Sequence, residues 1–578
     1  MEKRLMLGNE AVARGLYEAG CEVVSSYPGT PSTEITEFAS KYDEIKSEWA
    51  PNEKVALEVA LGASIAGVRS FCGMKHVGLN VAADPLFTAS YSGVNAGLIV
   101  AVADDQGMHS SQNEQDSRHY AIAAKLPMLE PADSQECKDY VTEAYSISEQ
   151  FDTPVLLRLS TRISHTQTET TVGERKALPK REYIKNAAKY VMMPGNAKKK
   201  HVVVEERTKK LTAFSETTPL NTIIDNGSRI GVISAGIAYQ YAAEALEDKV
   251  NYLKLGMLNP LPVELIKNFA ADCEKVYVVE ELDGVIETHC RCIGVPVIGK
   301  ELFSNIGELD QVIIREKILG VKPEIKKLDE TLPVRPPVLC PGCPHRGVFY
   351  VLGKLKVMVS GDIGCYTLGA VAPLNALDTT ICMGASISGL HGFNLADENN
   401  CKKSVAVIGD STFIHSGITG LINVVYNATN SVVIIMDNST TGMTGHQQNP
   451  TTGFNIKGDP AAAVSLEKLC ESIGIRRVRV VDPMDIQLFE SVVKEELEAP
   501  EPSVIISRRP CALLKTVKKY PPLRINTDKC KKCKACFKIG CPAIQDSKGT
   551  IKIDPTLCVG CRLCVKMCNF TAIEGEAK

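Results

Sequence analysis

The sequence predicts a multi-domain α/β chain of doubly wound parallel sheets, closed by a small cysteine-rich α+β domain. Three observations lead there. Short apolar runs such as AGLIVAVADD, EKVYVVEELDG, SVAVIGD and SVVIIMDN read as strands buried on both faces. Helical stretches such as NEAVARGLYEAG and NEKVALEVALGASIAG alternate with them. Eight of the 21 cysteines fall between Cys530 and Cys568, at the end of a chain whose 578 residues suffice for several cores.

Composition narrows the function. Hydrophobic residues make up 44% and charged residues 23%, as in ordinary globular proteins. A net charge of -3 speaks against a nucleic-acid-binding protein. No uninterrupted apolar run reaches membrane-spanning length, and charges break up MEKRLMLGNEAVARGLYEAG, so neither a membrane span nor a secretory leader is expected. The expected location is the cytoplasm, where clustered thiols stay reduced and bind metal.

Along the chain, residues 1–170 form a first α/β domain and 171–228 a charged connecting segment, with ERKALPKREYIKNAAKY and NAKKKHVVVEERTKK. Residues 229–318 form a second α/β unit opening on RIGVISAGIAYQYAAEAL, whose single-glycine turn is too weak for a nucleotide site. A proline-rich linker is expected over 319–337, a third α/β domain over 338–518, and the tail over 519–578.

The tail reads Cys530-x2-Cys533-x2-Cys536-x4-Cys541-Pro, then Cys558-x2-Cys561-x2-Cys564-x3-Cys568. This is the bacterial-type two-cluster ferredoxin pattern, in which the fourth cysteine of each run ligates the other 4Fe-4S cluster. One set is Cys530, Cys533, Cys536 and Cys568; the other is Cys541, Cys558, Cys561 and Cys564. The first run has a four-residue gap where three is usual. Residues 525–578 hold ten Lys/Arg against five Asp/Glu, a basic surface able to steer an acidic partner.

In the third domain, Gly409-Asp410-Ser411 and Asn438 each end an apolar strand, where ligands of parallel sheets gather. Asp410 and Asn438 offer hard oxygens suited to magnesium. The pair resembles the thiamine diphosphate signature, with Ser411 in place of its second glycine and the backbone carbonyl of Thr440 as the implied third ligand. MGASISG supplies Gly384 and Ser386 in a small-residue turn before a helix, where backbone amides approach a phosphate. Such a cofactor needs a carboxylate at its aminopyrimidine ring, and NEKVALEVALGASIAG offers both Glu53 and Glu58. Cys340 and Cys343, in VLCPGCPHR, suit a zinc site, a dithiol or half of an iron-sulfur site.

Over nearly its whole length the chain resembles the 2-oxoacid:ferredoxin oxidoreductases, most closely the branch acting on arylpyruvates such as indolepyruvate and phenylpyruvate. The implied order is a pyrimidine-binding thiamine diphosphate domain, a transketolase-C-like domain, a diphosphate-binding domain and a ferredoxin domain. SYPGTPST matches the family's turn and puts Thr30 at the substrate's 2-oxo group; NEK makes Glu53 the activating glutamate. MKHVGLNVAADP and GMHSSQNEQDSRHY resemble active-site segments, making His76, Ser111, Gln112, Asn113 and Arg118 substrate-pocket candidates. The family pattern also implies a third, proximal 4Fe-4S cluster on Cys340, Cys343, Cys365 and Cys511. It further implies magnesium, coenzyme A as acyl acceptor, ferredoxin as electron acceptor, and a separate smaller beta subunit in a heterotetramer of two alpha and two beta chains. The same chemistry on pyruvate or a branched-chain 2-oxoacid, a non-oxidative decarboxylase, and a pure electron-transfer subunit are the competing readings.

Overall fold

The computed structural model describes residues 2–322, 330–332 and 336–575, so the expected linker at 319–337 lies in part outside the described residues. The chain divides into two compact units, Met1–Asp329 and Glu330–Lys578.

The first unit is built on a seven-stranded sheet. Its order runs from Met257–Asn259 through Met128–Leu129, Val155–Ser160, Leu98–Asp104, Ser70–Lys75 and Val23–Ser26 to Lys46–Trp49. All pairs are parallel except the first. Leu98–Asp104 is buried at every position, as its unbroken apolar run requires of a central strand. Alternate side chains enter different cores: Cys72, Met74, Val100 and Val102 join one cluster, and Phe71, Ile99, Ala101 and Ala103 the other. This two-sided burial makes the sheet doubly wound.

A second sheet of the same unit orders Lys275–Val279, Ile230–Ala235, Asn251–Leu255 and Thr222–Ile224, the last antiparallel. It departs from the expected boundaries in two places. Thr222–Ile224, placed in the connecting segment by sequence, is the sheet's edge strand. Met257–Asn259 leaves the second α/β region and pairs antiparallel with Met128–Leu129 of the first. The charged segment before 228 holds the helix Pro194–Ser215, which buries Val204, Arg207, Leu211 and Ser215.

The second unit carries a six-stranded, wholly parallel sheet ordered Thr379–Thr380, Met358–Gly361, Ser404–Gly409, Val432–Asp437, Ser503–Arg508 and Arg477–Val481. The tail adds two antiparallel strand pairs, Arg524–Ile525 with Ile573–Glu574 and Ile544–Ser547 with Thr550–Ile553. It also holds two 3-10 turns, Ala535–Ile539 and Leu563–Met567. Ile539, Ile551 and Leu563 of the tail share one apolar core with Leu339, Phe349 and Val405. Among the described residues no helix is long and apolar enough to cross a membrane.

Candidate active site

Three neighbouring strands of the second unit, Met358–Gly361, Ser404–Gly409 and Val432–Asp437, deliver Asp362, Asp410 and Asn438 at their carboxyl ends. Asp362 is buried, and its carboxylate accepts the backbone N–H groups of Gly384 at 2.9 Å and Ser386 at 3.0 Å. It thereby fixes the small-residue turn at the start of the helix Ala385–Ala396. Burial pushes Asp362 up to about 6. The buried Ser386 hydroxyl is turned toward the Asp362 carboxylate without a well-formed hydrogen bond, beside a helix N-terminus that suits a phosphate oxygen.

Asp410 is buried, with Oδ1 accepting the Ser411 N–H at 2.8 Å and Oδ2 3.5 Å from Asn449 Nδ2 and 3.4 Å from Thr451 Oγ1. Burial first, and the charge of Asp437 second, raise its carboxyl to about 7. The amide oxygen of Asn438 accepts the Thr440 N–H at 3.2 Å, and Nδ2 faces His345 Nε2 at 3.5 Å. Ser411, standing where the signature has glycine, accepts a bond at 3.0 Å from the Thr441 hydroxyl. Carboxylate, amide oxygen and Thr440 main chain form the all-oxygen donor set that a magnesium ion takes, so these residues fit that ion. Asn449, Thr451 and Asp362 are additions that sequence reasoning missed. Asp362 ends an apolar strand in SGDIGC, a signal masked by its neighbour Cys365; Asn449 and Thr451 lie in a loop with no pattern to mark them.

The cysteines gather as three sets. Cys343 lies in electrostatic reach of Cys340 and Cys365, Cys365 of Cys511 and Cys340, and Cys511 of Cys340. The Cys511 N–H donates to the Asn438 carbonyl at 2.9 Å, so one residue touches both the oxygen set and this thiol set. In the tail, Cys530, Cys533, Cys536 and Cys568 line one cavity, and Cys541, Cys558, Cys561 and Cys564 another. Among the described residues, the one group of three or more His, Cys, Asp or Glu ligand atoms within 4.8 Å of one another is Asp116, His119 and Asp283.

In the first unit, Glu53 is the buried first residue of the helix Glu53–Ile65, whose N-cap Asn52 accepts the Val55 N–H at 2.9 Å. Glu58 is half exposed and paired with Lys54. Thr30 is half-buried in a turn pinned by Asn9 Nδ2, which donates to the Pro31 carbonyl at 2.6 Å. His76 is buried with neither ring nitrogen in a well-formed hydrogen bond. Burial holds it below the usual histidine range, against a smaller opposing pull from Asp104 and from the Asn113 backbone. Next to it, Lys75 Nζ donates to the Ser110 carbonyl at 2.5 Å, and burial lowers that ammonium to about 8. Ser111 donates to Asp105 at 2.5 Å, while Gln112 and Asn113 are exposed.

Arg118 departs from its expected place in a substrate pocket. It is buried, its Nε and Nη2 fork onto Asp116, Nη1 pairs with Glu280, and Nη2 also reaches the carbonyls of Glu281 and Asp283. Each guanidinium nitrogen is committed within the unit, which makes Arg118 a scaffold residue.

Two family patterns match the chain: "Pyruvate flavodoxin/ferredoxin oxidoreductase, thiamine diP-bdg" over residues 14–224, and "Thiamine pyrophosphate enzyme, C-terminal TPP binding domain" over residues 362–507. Indolepyruvate oxidoreductase subunit IorA of Archaeoglobus fulgidus is 42% identical over 99% of this chain and 97% of its own. The same-named subunit of Pyrococcus horikoshii is 40% identical over the same shares. A solved 2-oxoglutarate:ferredoxin oxidoreductase from Magnetococcus marinus is similar at 19% identity, covering 55% of this chain and 65% of that one, with a TM-score of 0.48.

Proposed function

Because the chain belongs to the IorA family of indolepyruvate oxidoreductase subunits, we propose that it is the catalytic alpha subunit of an enzyme that oxidatively decarboxylates arylpyruvates. The products are an aryl-acetyl-coenzyme A and carbon dioxide, with electrons passing to ferredoxin. Thiamine diphosphate, when bound, supplies the nucleophilic carbon and the electron sink for decarboxylation.

The protein's own groups have separable tasks. The Gly384–Ser386 turn, fixed by the N–H bonds that Asp362 accepts, seats the terminal phosphate at the start of the helix Ala385–Ala396, with the Ser386 hydroxyl as a donor. Asp410, Asn438 and the Thr440 carbonyl take magnesium, with Gly409 and Ser411 shaping the turn. Glu53 exchanges a proton with the aminopyrimidine ring from a carboxylate shielded from water. Thr30 offers a hydroxyl to the 2-oxo group, and His76 lines the substrate side. Cys340, Cys343, Cys365 and Cys511 hold a proximal 4Fe-4S cluster, and the tail's two sets make it a two-cluster ferredoxin domain.

The observation that favours oxidation over plain decarboxylation is Asn438, whose side chain belongs to the cation set while its carbonyl receives Cys511. An electron acceptor there is adjacent to the cofactor. A smaller beta chain in an α2β2 assembly and a cytoplasmic location complete the reading. The test is anaerobic viologen reduction by the purified complex with coenzyme A and indolepyruvate, phenylpyruvate or pyruvate. Faster turnover of the aryl substrates is expected; a preference for pyruvate, or aldehyde release without viologen reduction, would overturn the proposal.

A further inference from the structure

Arg346, at the end of VLCPGCPHR, is 2% exposed, and no carboxylate among the described residues pairs with it. An unpaired buried cation is costly unless something anionic lies close by. Its guanidinium is instead ringed by carbonyls from two segments. On one side Nε donates to Cys340 at 3.1 Å, and Nη2 bonds Leu339. On the other, Nη1 donates to Ile539 at 3.0 Å and Gly540 at 2.6 Å. Cys541 and Cys561 of one flanking set and Cys343 and Cys340 of the other lie within its electrostatic reach. Arg346 lines the same cavity as Cys541, Cys558, Cys561 and Cys564.

The irregular spacing of the tail is part of this arrangement. In the regular run the 3-10 turn Leu563–Met567 is followed directly by Cys568. In the other run the equivalent turn, Ala535–Ile539, is followed by Gly540 at φ 65° and only then by Cys541. The additional residue is Gly540, and its carbonyl is one that Arg346 binds.

We propose that Arg346 is a shared counter-cation of the two flanking iron-sulfur sites, and that the Gly540 insertion exists to seat it. Each electron added to a cluster adds negative charge, so a fixed cation between two clusters makes both easier to reduce. Arg346 is thus a positioning and tuning residue, touching neither substrate nor thiamine cofactor. The inference rests on the reading that both thiol sets hold clusters.

The test is made anaerobically on the full alpha-beta complex. Wild-type protein lacking iron at the Cys340 set would remove that underlying reading before any variant is made. With iron present, Arg346→Gln, which keeps hydrogen-bonding ability but not charge, should make both flanking clusters at least tenfold harder to reduce. That corresponds to about 59 mV for one electron, read by potentiometric EPR titration, with the outer Cys530 set unmoved. Arg346→Lys should recover most of the shift. Unchanged potentials in Arg346→Gln, or equal shifts in Gln and Lys variants, would overturn the proposal. If Arg346→Gln loses iron from both sites, Arg346→Lys decides: iron restored supports the role of the charge, and iron still missing reduces Arg346 to a clamp.

Discussion

Gly78 lies against the carboxylate of Glu53: a Cβ built on that glycine would stand 2.6 Å from Oε1. Any larger residue must push the carboxylate aside. Gly78→Ala is therefore expected to lower kcat/KM by about 10- to 100-fold through misplacement of one catalytic group, while the fold survives. Gly62→Ala, on the same helix as Glu53 but facing open space, is the control and should be silent. Equal activities of the two variants would show that the close approach has no functional weight.

Glu53→Gln removes the buried carboxylate and is expected to cost roughly 10²- to 10⁴-fold in turnover. Glu58→Gln removes an exposed partner of Lys54 and should leave turnover and stability near wild type. Steady-state kinetics on both variants checks the assignment, and a larger loss at Glu58 would reverse it.

Arg118→Met leaves Glu280 buried without its cation and Asp116 with only Arg158 at 3.9 Å, at an expected cost of about 3–5 kcal/mol in unfolding free energy. The folded fraction should keep its KM for arylpyruvate, since each guanidinium nitrogen is committed within the scaffold. A raised KM with unchanged stability would return Arg118 to the substrate pocket.

Burial, aided by nearby Glu308, lifts Glu281 to about 7 against an ordinary 4.5. A carboxyl with a raised folded value contributes stability in full below its unfolded value and loses it as pH rises through the folded one. The first unit should thus weaken between about pH 5 and pH 8, by on the order of 2 kcal/mol. Urea unfolding against pH should show this in wild-type protein and a flatter profile in Glu281→Gln; identical profiles would contradict it.

Three cubane clusters require about twelve irons per chain. Cys365→Ser and Cys533→Ser should each remove about four, independently. About eight irons and one zinc in the wild-type chain would instead assign Cys340 and Cys343 to zinc.

The long apolar strands were legible because burial on both faces leaves an unbroken hydrophobic run, as in Leu98–Asp104. The same uniformity hid which residues serve which core, since Val100 and Ala101 look alike in sequence and face opposite sides. Thr222–Ile224 and Met257–Asn259 are too short to carry any period, so their sheets became visible only through their partners. Glu53 and Glu58, five residues apart on a helix, point about 140° apart. Periodicity says they face differently, but only packing says which faces inward. The ion-pair network around Arg118 was not legible, because a motif conveys residue type and not where the donors go. The thiol sets were the most legible part of the site, because ligand spacing is a property of the loop itself.

The antiparallel pairing of Met257–Asn259 with Met128–Leu129 has a consequence for biosynthesis. The nascent chain cannot finish its first sheet when residue 170 emerges; until residue 259 leaves the ribosome, one rim of that sheet stays open to other strands. A translational pause before that point would be a window for aggregation, and a fragment ending near residue 228 should be insoluble where one extending past the second sheet is not.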